Sequence, residues 1–135
     1  MVAFVGVSAA RKDALAAAKQ PIPNPVRVSA LIDTGASGTC VDPSVLQQLA
    51  LTPTGKAIVN TPSTGSTPHI SDQFDVGIWI PGSTPSDPVF FLQNLPVISA
   101  ELLQQQGFHA LIGRDILSMC LFVYDGPTRQ FSLAY

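Results

Sequence analysis

Residues 31–37 read Leu-Ile-Asp-Thr-Gly-Ala-Ser, an apolar run that delivers one aspartate into a tight, glycine-containing turn. A carboxylate at the end of a buried strand must find partners or shift its pKa to survive desolvation. Thr34 and Ser37 offer hydroxyls beside it, and Gly35 lets the backbone approach closely or take a positive φ. The chemistry such a group supplies is proton transfer, as general acid or general base. A second segment, Ala110-Leu111-Ile112-Gly113-Arg114-Asp115, sets a glycine and two charged residues after another apolar run.

Other chemistries fit these residues less well. Asp and Gly are ordinary turn residues, so an isolated Asp-Thr-Gly is more often a structural turn. Asp33-Thr34-Gly35-Ala36-Ser37 also matches the phosphate-binding turn of sugar kinases and actin-like proteins. Those enclose a nucleotide between two large lobes, and 135 residues cannot build them. Gly35-Ala36-Ser37-Gly38-Thr39 is not a nucleophile elbow, because its fifth position is not glycine. His69 and His109 stand apart from any carboxylate or cysteine at metal-ligand spacing, so no metal is expected.

The elements that must position the aspartate are short. Val2–Ala9 reads as a strand, and residues 11–25 as a long excursion. The Ala-rich start of that excursion allows a short helix, but Pro21, Pro23 and Pro25 forbid helix and sheet centre at its end. Val26–Ile32 is the strand that carries Asp33, followed by a strand at Thr39–Val41 and a helix over Ser44–Leu49 with Asp42 as N-cap. Ala57–Asn60 and His69–Ile80 flank a turn-rich stretch, residues 61–68, and Val89–Leu92 predicts another strand. Ser99–Gln106 predicts a helical turn, Ala110–Ile112 a strand and Arg114–Ser118 a short helix. Leu121–Tyr124 and Gln130–Ala134 predict a hairpin.

Twelve prolines and ten glycines cut the chain into short pieces, as many-stranded β domains require. The length fits one domain spanning residues 1–135. A net charge of −2 without a basic run argues against nucleic acid as a partner. Charged residues make up 12%, against about 25% in an average domain, so part of the exterior is expected to be covered by a partner. No apolar stretch reaches the roughly 18–20 residues that span a bilayer. Arg11 and Lys12 follow the apolar start rather than precede it, the wrong order for a signal peptide. Cys40 and Cys120 are expected to be buried free thiols, and the chain cytoplasmic.

The Asp-Thr-Gly-Ala-Ser turn and the Leu-Ile-Gly-Arg-Asp segment, in this order and with strand material between them, resemble the two signature segments of retropepsin-like aspartic proteases. The resemblance implies an all-β fold: a closed β-barrel with a flap hairpin and one or two short helices, active as a C2 homodimer. It implies an aspartic endopeptidase without cofactor, acting on peptide or protein substrates. Two carboxylates share one proton around a water in such enzymes, and one chain supplies only Asp33, so its symmetry mate supplies the second. Thr34 is then expected to hydrogen-bond across the two-fold axis, and the Gly35 carbonyl to meet substrate backbone. Ala36, Ser37, Cys40 and Leu111 fall at substrate-binding positions. Ser63, Thr64, Gly65 and Ser66 fall on the flap. Gly113, Arg114 and Asp115 support the site, with Arg114 tying its helix to the active turn. Ser37 stands where many retroviral enzymes carry an acid, which leaves the partner of Arg114 open. With Val2–Ala9 already paired to Val26–Ile32, a dimer leans on Phe131–Tyr135 and the Asp33–Thr34 turns. The alternative is a non-catalytic module of the same fold that dimerises or binds extended peptide.

Overall fold

A computed structural model describes residues 1–59 and 69–135, without the side chains of residues 102–104. Strand β1, Val2–Val7, is followed by helix α1, Ala9–Ala17, and then by β2, Val26–Ile32. Strand β3, Cys40–Val41, leads into α2, Pro43–Gln48. The hairpin strands β4, Gly55–Val59, and β5, His69–Ile80, precede β6, Phe90–Ser99. A 3₁₀ turn, Glu101–Gln106, ends at Gly107, and β7, Ala110–Ile112, runs into α3, Arg114–Leu117. Strands β8, Leu121–Asp125, and β9, Gln130–Ala134, form a separate hairpin.

The strands pair in the order β1-β2-β7-β3-β6-β5-β4, and a further β1–β5 pairing closes six of them into a barrel with β4 outside the ring. β2 and β7 pair in parallel, as do β3 and β6, while the other barrel pairs are antiparallel. The barrel is filled by alternate residues: Ala3 and Val5, Val28 and Ala30, Phe74, Val76, Ile78 and Ile80, Leu95 and Val97. Val5, Val76, Ile78 and Val97 are fully buried, each contributing about 1.5–3 kcal/mol relative to exposure. Val45, Leu46 and Leu49 of α2 and Ile116 and Leu117 of α3 pack onto this core. No helix among the described residues is long and apolar enough to cross a membrane.

The all-β barrel agrees with the sequence reading, with three local corrections. The expected strand Val2–Ala9 stops at Val7, because the buried Ser8 side chain accepts the Arg11 N–H and caps α1. The excursion at 11–25 therefore begins as a regular helix, and the described residues hold three α-helices rather than one or two. The strand expected to end at Leu92 continues to Ser99 through Pro96. β3 meets β6 only at Ile98 and Ser99, so among the described residues β6 has a free edge at Pro96, where proline is tolerated.

Candidate active site

β2 and β7 lie side by side in parallel, Ile32 beside Ile112, so the two motifs leave the barrel at the same place. The Asp33 N–H donates to the Ile112 carbonyl at 3.0 Å, extending the ladder by one bond into the turn. The Gly35 N–H donates to Asp33 Oδ1 at 2.8 Å, and the Ala36 N–H to the Asp33 carbonyl at 3.3 Å. A methyl group on Gly35 would sit 3.1 Å from Asp33 Oδ1, so glycine serves close approach here. The positive φ allowed for in the sequence reading is not used at Gly35.

Three further links hold the turn to α3. The Arg114 N–H donates to the Ala36 carbonyl at 3.0 Å. Arg114 Nη1 donates to the carbonyls of Thr34 at 2.8 Å and Gly35 at 3.0 Å. Gly113 packs directly on Gly38; a Cβ there would lie 2.5 Å from the Gly38 carbonyl carbon and oxygen. Beneath the turn, Asp115 accepts the Thr39 N–H and the Thr39 hydroxyl, each at 2.8 Å, and the Ile116 N–H at 2.9 Å. The fully buried Thr39 hydroxyl in turn accepts the Gly113 N–H at 3.2 Å.

This brings Asp33, Thr34, Gly35, Ala36, Gly113, Arg114 and Asp115 into one locked loop pair. Asp33 is half-buried, whereas Thr34, Gly35, Ser37 and Arg114 are exposed. The Gly35 carbonyl, expected to meet substrate, is already engaged by Arg114 through one of its lone pairs. Arg114 has no carboxylate partner among the described residues, so the position left open by Ser37 is filled by backbone carbonyls. Cys40 and Leu111 face each other as register partners of β3 and β7. Burial pushes the Cys40 thiol pKa up, and the charges of Asp115 and Asp33 push it further. Cys120 is raised by burial alone, and both thiols are free but half-buried rather than buried. Ser63, Thr64, Gly65 and Ser66 lie outside the described residues; the flanking strands β4 and β5 pair antiparallel, with Lys56 and Asp72 bridged at 2.8 Å.

The sequence reading missed Thr39 and Gly38 as the joint between the two loops, although the second glycine in Gly-Ala-Ser-Gly was a signal for close packing. His109 is structural: its backbone N–H donates to the Ser29 carbonyl at 2.8 Å and its Nδ1 accepts the Ser29 N–H at 3.5 Å. Cavities of about 570 and 560 Å³ lie elsewhere, between β9 and residues 80–88 and beneath α1. No group of His, Cys, Asp and Glu among the described residues could hold a metal ion.

The family model described as aspartyl protease matches residues 22–116, which include both loops and most of the barrel. The chain belongs to the aspartyl protease family. The closed barrel and the joined loops give this aspartyl protease the retropepsin-like, all-β fold. Comparison with curated proteins and with solved structures returned no match.

Proposed function

We propose that this aspartyl protease is an endopeptidase in which Asp33 and its counterpart from a second copy activate a water between them. The observation that carries the reading is the commitment of Asp115. It is the other carboxylate whose charge reaches Cys40, and its oxygens are taken by Thr39 and Ile116. Among the described residues the Asp33 carboxylate has one donor, the Gly35 N–H on Oδ1, and it stands half-exposed beside the exposed Thr34. A second reactive carboxylate therefore comes from another chain, and two-fold symmetry supplies it as the same residue.

In that pair one carboxylate is ionised and the other protonated. The ionised member takes a proton from water as its oxygen attacks the peptide carbonyl. The protonated member donates to the carbonyl oxygen as negative charge develops. The peptide lies extended along Cys40 and Leu111, under a flap that the β4–β5 hairpin carries. The β8–β9 hairpin offers the second copy an apolar surface, with Leu121 and Val123 exposed on one face.

Asp33→Asn tests the reading. It keeps size and hydrogen-bonding atoms but removes the acid–base function, and hydrolysis of a denatured protein should fall by roughly 10²–10⁴-fold or more. Cleavage at the wild-type rate in this variant removes the two-aspartate mechanism. A folded wild type that binds extended peptide without cleaving it establishes the non-catalytic alternative instead.

A further inference from the structure

A row of residues in register crosses the outside of the barrel: Arg27 pairs with Phe4, Phe4 with Trp79, and Trp79 with Phe91. Their chain neighbours Ala3, Val5, Val28, Ile78 and Ile80 fill the core, so by strand alternation the row faces outward. It lies at the opposite end of β2 from Asp33. Pro25 precedes that strand and Asp33 follows it, with seven residues of strand, or roughly 23 Å, between them.

The rings are held in place and left partly open. Gly6 and Gly77 are register partners beside the row, and the Trp79 ring lies against both; a Cβ would come within 2.8 Å of it at Gly6 and 3.0 Å at Gly77. Phe91 stacks on Trp79, with ring centres 4.7 Å apart and planes at 15°. The cavity of about 560 Å³ beneath α1 is lined by Lys12, Ile22, Pro25, Trp79 and Phe91 among others. A second cavity of about 280 Å³, lined by Phe4, Pro81 and Val89, shares Trp79 and Pro25 with the first. Ile22, Val89 and Phe91 are exposed, and the Trp79 indole N–H has no acceptor among the described residues.

Charge narrows the choice of ligand. Residues 11–27 hold Arg11, Lys12, Lys19 and Arg27, four of the seven cations of the chain, against Asp13 alone of its nine acids. None of these five is in an ion pair among the described residues. Asp13 also reaches the larger cavity, but the excess around the rings stays positive.

We propose that this face docks an acidic, proline-containing segment of a partner protein, bound as an extended polyproline helix across Trp79. Such a backbone makes no hydrogen bonds of its own, so its carbonyls are free to take the indole N–H. Proline rings fill the cavities on either side of Trp79, at low entropic cost because the segment is already extended. Carboxylates of the segment meet Lys12 at the larger cavity and Arg27 beside Phe4. The row spans three strand spacings, roughly 14 Å, which is about four to five residues of that helix. An anionic lipid surface would draw on the same cations, but it calls for protruding side chains, and the Trp79 ring lies between recesses.

The probe is a labelled peptide of about nine residues, proline with glutamate at every third position. It is titrated by fluorescence anisotropy into the Asp33→Asn protein, so that cleavage does not intervene. Matched peptides carry lysine or glutamine in place of glutamate. The glutamate peptide is expected to bind about tenfold or more tighter than the lysine peptide, and to weaken with added salt. Trp79→Ala should weaken the glutamate and glutamine peptides about tenfold or more. Lys12→Glu combined with Arg27→Glu should reverse the order of the glutamate and lysine peptides, and it reports independently if Trp79→Ala misfolds. Equal binding of the three peptides, a glutamate peptide unmoved by the charge reversal, or no binding overturns the proposal. Binding of phosphatidylserine vesicles in place of the peptides also overturns it and assigns the face to a membrane surface. Because the readout is binding by a catalytically silenced variant, failure here leaves the proposed proteolysis standing.

Discussion

Thr39 and Asp115 are joined at two points: the Thr39 N–H and its hydroxyl each donate to a different oxygen of one carboxylate, both at 2.8 Å. Thr39 is fully buried, and its hydroxyl also accepts the Gly113 N–H. This joint fixes the distance between the Asp33 loop and the α3 loop. Asp115→Ala leaves two Thr39 donors without acceptors, at about 1–3 kcal/mol each. A drop of roughly 2–6 kcal/mol in unfolding free energy is expected in urea titration. Asp115→Asn, which keeps one acceptor oxygen, should lose about half as much. Equal stability of wild type and Asp115→Ala would show that the joint contributes nothing.

Arg114 acts from the exposed side of the same turn. Its planar guanidinium holds the Thr34 and Gly35 carbonyls with a single nitrogen, a geometry that a lysine ammonium on a flexible stem does not reproduce. Arg114→Lys is therefore expected to lower kcat/KM by roughly 10- to 100-fold through loss of positioning. Because Arg114 is exposed, the melting temperature should move little. Measuring both on one preparation decides between a positioning role and a folding role. A large loss of stability with matching loss of activity would favour the latter.

Cys40 reports on the charge of the site. Burial, then Asp115, then Asp33 hold its pKa above the usual thiol value, so little thiolate is present at neutral pH. Iodoacetamide should label it slowly, and Asp33→Asn should speed labelling by removing one of the opposing charges. The gain should be modest, since burial is the larger cause. Bound peptide should protect Cys40 and leave Cys120 unchanged, as peptide mass spectrometry can read. Labelling of Cys40 that ignores both Asp33→Asn and bound peptide would separate it from the active turn.

The parts that sequence made legible are those where local chemistry and tertiary need agree. Val26–Ile32 carries its strand pattern directly into Asp33, and Asp42-Pro43 starts α2 with a cap whose side chain accepts the Ser44 N–H. Arg114 follows β7 onto the Asp33 turn, whose Thr34 and Gly35 carbonyls it holds. The helix at Ala9–Ala17 was obscured by the three prolines that follow it, although Ser8 was a usable cap signal. Pro96 hid the second half of β6, because tolerance of proline depends on which neighbour a strand lacks. The Arg27–Phe4–Trp79–Phe91 row could not be read at all, since it exists only through register between strands distant in sequence.

Leu121 tests the proposed two-copy site. It lies 66% exposed on β8, on the same face as Val123, which is 52% exposed; the opposite face carries Phe122 and Leu133, the latter packed on the core. Neither β8 nor β9 pairs with another strand among the described residues, so the hairpin offers free edges as well as an apolar face. Such a surface is where the proposed second copy would associate. In Leu121→Asp the monomer gains a charge already in contact with water, and its unfolding midpoint should stay near that of wild type. In the proposed dimer the same charge would be desolvated twice, once per copy. Even about 1.4 kcal/mol per copy raises the dissociation constant by roughly a hundredfold. Sedimentation across protein concentrations should show the shift, and specific activity should fall at low concentration and recover as protein is added. Wild-type activity that is independent of concentration, from a species that sediments as a monomer, would end the account of catalysis by paired Asp33 residues.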